Sequence, residues 1–400
     1  MQVLLGVIFH FIGGFASGSF YMPYKKVRGW SWESYWIIGG LFSWLIVPPL
    51  AAALTIPHFW SIISQTDGAT LFYTYLFGLL WGVGGLTYGL GVRYLGVSLG
   101  SSIILGLCMV FGSLIPTIYY QLVPTAGKES FSDYTGSTWG LTVLAGLAVC
   151  VLGIIICGRA GTMKERELKS QKSFSENGNG DGKSVKYRKP VLETAGGAQV
   201  ERITTEDVSI VQDASTSAHG GPVGATEFKF GLGLFVAIVS GVLSACFNFG
   251  IEAGKPMAAK ALEAGSNPLY QNNVIFVVIL WGGLTTNLIW CIILNARNKT
   301  FGDYSNKRSP LLSNYLLCAL AGTAWFLQFF FYGMGESKLG NGASSWILHM
   351  SFIILVANMW GLISNEWKGV SQKTMRTIIV GVLTVIIAVL IVGRGNSLKP

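Results

Sequence analysis

Apolar stretches of about 20 residues recur along the chain, near 3–23, 34–56, 70–92, 98–121, 138–158, 229–251, 271–295, 312–334, 343–363 and 376–393. A helix of that length crosses the roughly 30 Å of a bilayer's hydrocarbon core, where the backbone must satisfy its own hydrogen bonds. The pattern predicts an all-α integral membrane protein with ten transmembrane helices. The first stretch reads as a span and not as a secretory signal. A signal carries its positive charges before the apolar core, whereas Lys25, Lys26 and Arg28 follow it.

Residues 159–228 break the pattern. They open with Arg159, Lys164, Arg166, Lys169 and Lys172, then turn to SENGNGDGKS and DASTSAHGGPVG. Such a stretch is too polar and too rich in Gly and Ser to bury a core, so it reads as a mostly disordered cytoplasmic linker. Its basic start is either a topogenic charge cluster or a segment that rests on anionic lipid. The chain divides accordingly into a first unit, 1–158, a linker, 159–228, and a second unit, 229–400.

Composition excludes a water-soluble fold, because 12% charged residues, with 51% hydrophobic and a mean hydropathy of +0.52, is under half the usual share of charge. The net charge of +9 is not carried by a basic helix or an aromatic-basic motif, so nucleic acid is not an expected partner. Loop bias accounts for it. If the loops after the odd-numbered stretches face the cytoplasm, they and the first residues of the stretches that follow hold 22 of the 28 Lys and Arg residues. The positive-inside rule then puts both termini in the periplasm. All six cysteines lie inside apolar stretches, with no C-x-x-C pair and no His cluster. They read as packing residues, and no metal or other cofactor is expected.

The string G-x-x-W-x6-Y-G-x-G-x3-L-G runs from Gly78 to Gly96 and recurs from Gly322 to Gly340. It pairs Gly78 with Gly322, Trp81 with Trp325, Tyr88 with Tyr332, Gly91 with Gly335 and Leu95 with Leu339, at a constant offset of 244. A weaker match, at an offset of 227, pairs Gly6, Gly14, Ser17 and Phe20 with Gly233, Gly241, Ser244 and Phe247. The third span thus corresponds to the eighth, and each repeat holds five spans. An odd number forces the two repeats into opposite orientations, the inverted topology of secondary transporters.

At FYMPYKKVRGWSWE (20–33), WGVGGLTYGLGVRYLGVSLG (81–100), AWFLQFFFYGMG (324–335) and SSWILHMSF (344–352), the chain resembles the bacterial L-rhamnose-proton symporter family. The likeness covers both halves, in order, over nearly all ten spans. It implies the ten-helix fold of the drug/metabolite transporter superfamily, a place in the inner membrane, and uptake of a 6-deoxyhexose coupled to a cation, usually H⁺. The linker is longer than the family's usual loop, and Glu252 and Glu336 stand outside its motifs.

A neutral sugar needs aromatic faces for its C–H surfaces and amide, hydroxyl or imidazole groups for its hydroxyls. Trp81 and Trp325, near the middle of their spans, fit the first need. Gln328 and Tyr332 follow Trp325 on the same helical face, and the amide serves either as a helix-to-helix hydrogen bond or as a sugar ligand. Tyr88 and Asn248 complete the candidate substrate-binding set, and helix packing is the simpler role for Gly14, Ser17 and Ser240. His10 and His349 are the candidate proton carriers. Each lies about seven residues, or on the order of 10 Å, below the periplasmic end of its span, and imidazole titrates near neutrality. Glu252 and Lys255 have the i,i+3 spacing of a salt bridge, Glu33 reads as a loop ion pair, and Arg93 as an anchor.

The sequence thus points to a secondary active transporter that imports a deoxyhexose such as L-rhamnose with a proton. The rival within the class is a carrier of another sugar or metabolite, or one using another coupling ion. Against a nucleotide sugar, no Lys or Arg stands in mid-span. A membrane enzyme lacks its motif, since there is no G-x-S-x-G and no H-E-x-x-H, and a non-transporting sugar sensor would need a folded cytoplasmic domain. No obligate protein partner is evident; the expected partners are the sugar and the lipid bilayer.

Overall fold

The computed structural model describes residues 2–95, 97–125, 127–177, 230–363 and 367–399. Ten helices are long and apolar enough to cross a membrane: α1 Gln2–Tyr24, α2 Trp32–Thr55, α3 Gly68–Leu95, α4 Leu99–Leu122, α5 Thr138–Leu168, α6 Gly231–Glu263, α7 Pro268–Asn298, α8 Leu311–Leu339, α9 Gly342–Ile363 and α10 Gln372–Ser397. There is no strand among the described residues. Large apolar side chains stand exposed at helical spacing, as with Leu4, Ile8, Phe11 and Phe15 on α1 and Leu383, Ile387 and Leu390 on α10. Such stripes belong against lipid tails, where exposure of apolar surface carries no penalty. The ten crossings are therefore the protein's membrane domain, as the apolar pattern predicts.

The helix that begins at Thr138 does not end at residue 158 but runs on to Asn177. The basic start that the sequence assigns to the linker is thus helical. Its residues after Gly161 include Met, Lys, Glu, Arg and Leu, all good helix formers. The extension is also held in place, because Glu167 accepts from the Ser371 backbone N–H at 2.7 Å and from the Ser371 and Thr374 hydroxyls at 2.7 and 2.6 Å. A carboxylate there faces the positive end of the α10 dipole. The Gly- and Ser-rich remainder of the linker, and Gly96 of the repeated string, lie outside the described residues.

Proline reshapes two helices. In α2, Pro48 and Pro49 follow a π-helical turn, Leu41–Ile46, since proline withholds the N–H that an α-helix would need there. In α4, Pro116 leaves the carbonyl of Gly112 without its helical donor, and the Asn248 side-chain amide of α6 donates to that oxygen at 2.7 Å. The sequence of α4 therefore fixes where α6 docks.

The helices pack in matched pairs. α6 lies along α3 and against α4, while α1 lies along α8 and against α9; α7 packs on α3, and α2 on α8; α5 pairs with α10. The contacts correspond residue by residue. A Cβ at Gly6 would come within 2.7 Å of Leu339, and one at Gly233 within 2.8 Å of Leu95. Likewise Gly78 abuts the carbonyl of Ile279 on α7, and Gly322 that of Gly39 on α2. Only glycine permits such close backbone approach, which drives association where lipid removes the hydrophobic incentive.

Candidate functional site

Ten crossings return the chain to the side on which it began, so one end of the bundle carries both termini. At that end a cavity of about 220 Å³ is lined by Tyr120, Lys128, Asn248, Glu252, Lys255 and Glu336, among others. Glu252 accepts from the Tyr120 hydroxyl at 2.7 Å and from Lys128 Nζ at 2.5 Å. Lys255 Nζ donates to Glu336 Oε1 at 2.5 Å and to Asn272 Oδ1 at 3.3 Å, and Asn272 Nδ2 donates to Glu336 Oε2 at 2.5 Å. The i,i+3 bridge between Glu252 and Lys255 does not form. The helix Phe230–Ala253 stops short of Gly254 and Lys255–Glu263 begins anew, so the two residues no longer share one helical ridge.

The segment between α4 and α5 closes one side of this vestibule. Lys399 pairs with Glu129. The Tyr134 hydroxyl donates to Asn341 Oδ1 at 2.9 Å, and burial pushes its pKa above the ordinary tyrosine value, so it stays a donor.

Asn248 forms the floor. With its amide held by Gly112, its Oδ1 accepts from the Tyr332 hydroxyl at 3.2 Å. The Tyr332 ring meets two imidazoles edge-on, with centroids 5.4 Å from His10 and 5.1 Å from His349. The imidazoles stand 6.2 Å apart. Both are fully buried, and none of their four ring nitrogens has a hydrogen-bond partner among the described residues. Buried polar atoms are ordinarily paired, so the two imidazoles depart from the usual satisfaction of buried groups. Gly335 makes room for it, since a Cβ there would fall 2.7 Å from His10 Nε2.

Beyond the histidines lies a cavity of about 40 Å³, lined by Trp81, Tyr88, Phe247, Gln328, Trp346 and His349 among others. Trp81 and Trp325 face one another with centroids 5.7 Å apart. Trp44, set by the π-turn of α2, packs edge-on against Trp325 at 5.7 Å. Phe247 stacks on Phe329 at 4.1 Å. Gln328 donates to the Trp325 carbonyl of its own helix at 2.9 Å, so its side chain makes this intrahelical bond while also lining the cavity.

The opposite end is knitted shut. Asn314 exchanges two hydrogen bonds with the Arg28 backbone, at 3.2 and 2.8 Å. Asp303 accepts from the Ser31 N–H and the Ser34 hydroxyl, both at 2.8 Å. Glu33, read from sequence as a loop ion pair, is instead buried and accepts from Asn298 Nδ2 at 2.9 Å and the Thr300 hydroxyl at 2.8 Å. The segment 24–34 folds down onto the α7–α8 turn, and so turns the carboxylate inward.

All eight candidates named from sequence fall in this one track. Trp81, Tyr88, Gln328 and His349 line the inner cavity, Asn248 and Tyr332 divide it from the vestibule, and His10 and Trp325 stand directly behind. Sequence reasoning missed Lys128, Asn272, Phe247 and Trp346. Trp346 stands in the SSWILHMSF string and Phe247 in the offset-227 match, but Lys128 lies in a loop and Asn272 in the opening turn of α7, and neither carries a periodic signal.

The sequence profile of the L-rhamnose-proton symport protein family matches residues 1–179 and 194–398. The chain belongs to that family. Proteins named L-rhamnose-proton symporter from Pectobacterium carotovorum subsp. carotovorum (strain PC1), Cronobacter sakazakii (strain ATCC BAA-894) and Yersinia pestis (strain Pestoides F) are each 34% identical to it over 400 residues. Those alignments cover 99% of this chain and 98% of each relative. The family is one of membrane transporters and not of enzymes.

Proposed function

We propose that the chain carries L-rhamnose, or a closely similar 6-deoxyhexose, into a bacterium across its inner membrane together with a proton. The observation that carries the proposal is the continuous track from a polar vestibule, past an unpartnered imidazole pair, to an aromatic cavity with a single amide. Aromatic faces suit the C–H surfaces of a deoxysugar, and the hydroxyls of Tyr88 and Tyr332 with the amides of Asn248 and Gln328 suit its oxygens. In this reading Trp81 and Trp325 are the platform. His10 and His349 share one proton, because two imidazolium charges 6.2 Å apart would repel by roughly 3 kcal/mol at an effective dielectric of 20. The names of the relatives support the sugar and the ion.

Alternating access completes the reading. An inner cavity of 40 Å³ is far below the roughly 300 Å³ at which ligand pockets begin, so the bundle must open to admit sugar. The exchange of partners between the halves, with α1 on α8 and α9 where α6 lies on α3 and α4, supports two inverted five-helix repeats that rock about the site. The loop charges support a periplasmic vestibule.

Counterflow in proteoliposomes tests the proposal. A panel of labelled deoxyhexoses, with and without a pH gradient, should give exchange of L-rhamnose and its accumulation when the outside is acid. Absence of rhamnose exchange from correctly inserted protein would overturn the substrate, and accumulation indifferent to pH would overturn the ion.

A further inference from the structure

Four cations the transport reading does not use gather where α5 and α10 meet, at the end opposite the termini. Arg159 and Arg166 lie on α5, seven residues apart and so on one face; Lys373 and Arg376 lie in the first turns of α10. All four are exposed, and none of their side chains makes an ion pair or hydrogen bond among the described residues. Glu167, next to Arg166 on α5, is committed to Ser371 and Thr374.

Their depth is set by the helix. Arg159 comes 21 residues after Thr138, where α5 begins, or about 32 Å at 1.5 Å per residue. That places it at the boundary between hydrocarbon and headgroups. Two crevices open beneath. One, of about 470 Å³ beside α4, is lined by Leu99, Ile103 and Ile155 below Arg159, Arg166 and Lys373. The other, of about 480 Å³ beside α10, is lined by Ile156, Thr377 and Val380 below Arg159, Lys373 and Arg376. Both share Arg159, Met163 and Lys373, so a single charged shelf overhangs two apolar troughs.

Helix stability does not explain the arrangement. A helix N-terminus is electropositive, and Lys373 and Arg376 in the opening turns of α10 oppose its dipole. An external anion would offset that cost, and one carrying apolar chains would also fill the troughs.

We infer that Arg159, Arg166, Lys373 and Arg376 bind the phosphate headgroup of an anionic glycerophospholipid, with its acyl chains along Ile103, Ile155, Ile156 and Val380. Basic recesses between helices at the membrane boundary recognise such lipids. The lipid would straddle α5 and α10, the last helix of each unit. The inference stands apart from the transported solute and from the direction of transport.

The test uses the full chain in detergent. Phosphatidylglycerol, phosphatidylcholine or inorganic phosphate is titrated while thermal unfolding is followed, and co-purified phospholipid is measured by extraction and mass spectrometry. The variants are R159Q/R376Q and, as a charge-matched control in an exposed loop of the same end, K307Q/R308Q. Phosphatidylglycerol should raise the melting temperature of the wild type and the control, and phosphatidylcholine and phosphate should not. In R159Q/R376Q half-saturation should weaken on the order of 25-fold, about fivefold for each lost cation, with co-purified phosphatidylglycerol falling in step. Equal loss in both variants would reduce the site to diffuse surface charge and overturn it. So would unchanged lipid retention in R159Q/R376Q, or stabilisation by phosphate alone equal to that by lipid.

Discussion

Trp81 and Trp325 occupy the same register of the two repeated strings and meet with 5.7 Å between their rings. Replacing Trp81 with Ala removes one wall of the inner cavity, and replacing Trp325 removes the ring that backs it. W81A and W325A should each weaken rhamnose binding by roughly 1–3 kcal/mol, the scale of burying a large apolar face, with normal membrane insertion; a binding isotherm on purified protein reads the loss. The histidines call for a different measurement. If His10 and His349 carry the proton, H10Q and H349Q should abolish pH-driven accumulation yet spare exchange of labelled for unlabelled sugar, because exchange cycles only the loaded form. A double variant that still concentrates sugar against its gradient would return the rings to a packing role. These residues were legible in the sequence because polar and aromatic groups at membrane depth are conspicuous. Lys128 and Asn272 were not, since their partners lie 124 and 64 positions away and only folding brings them together.

Helices were legible as lengths but not as shapes. Hydropathy counts a span and is blind to the π-turn ahead of Pro48 and to the carbonyl freed by Pro116, though each aims a side chain at the site: Trp44 onto Trp325, and Asn248 onto Gly112. It also closed the fifth span at residue 158, where apolarity ends, while the backbone continues as a helix to Asn177. The charged turns beyond 158 are anchored through Glu167. Residues 180–222 are another matter, since their composition offers nothing to bury. Deleting them should leave uptake within a few-fold of wild type, as a segment with nothing to bury contributes no packing. Loss of uptake from a normally inserted deletion variant would reveal a role for the linker.

For the whole molecule, the proposed orientation rests on the loop charges and is open to direct test. A reporter fused to Met1 or Pro400 should be periplasmic and one inserted near Gly180 cytoplasmic; fusions that report both termini inside would reverse the assignment. The repeat was legible because glycine and aromatic landmarks survive at a fixed offset. The packing follows it, with Gly6 on Leu339 where Gly233 lies on Leu95. The chemistry does not. Gly335 accommodates the ring of His10, while its counterpart Gly91 faces Ala237 and Ile104. The scaffold is paired, but the imidazole pair has no counterpart across it.

That asymmetry bears on kinetics and leaves thermodynamics untouched. Detailed balance fixes which way net flux runs from the two gradients alone, wherever the imidazoles stand. If they carry the proton, their distance from each bulk phase still governs how quickly it arrives. His10 and His349 are one tyrosine removed from the vestibule, and the Trp81, Trp325 and Trp44 layer lies between them and the sealed end. Influx and efflux driven by mirror-image gradients should therefore differ in half-saturating sugar concentration and in maximal rate, while reaching the same final accumulation ratio. Vesicles of uniform orientation, loaded from either side, would register the difference as two unequal time courses ending at one plateau.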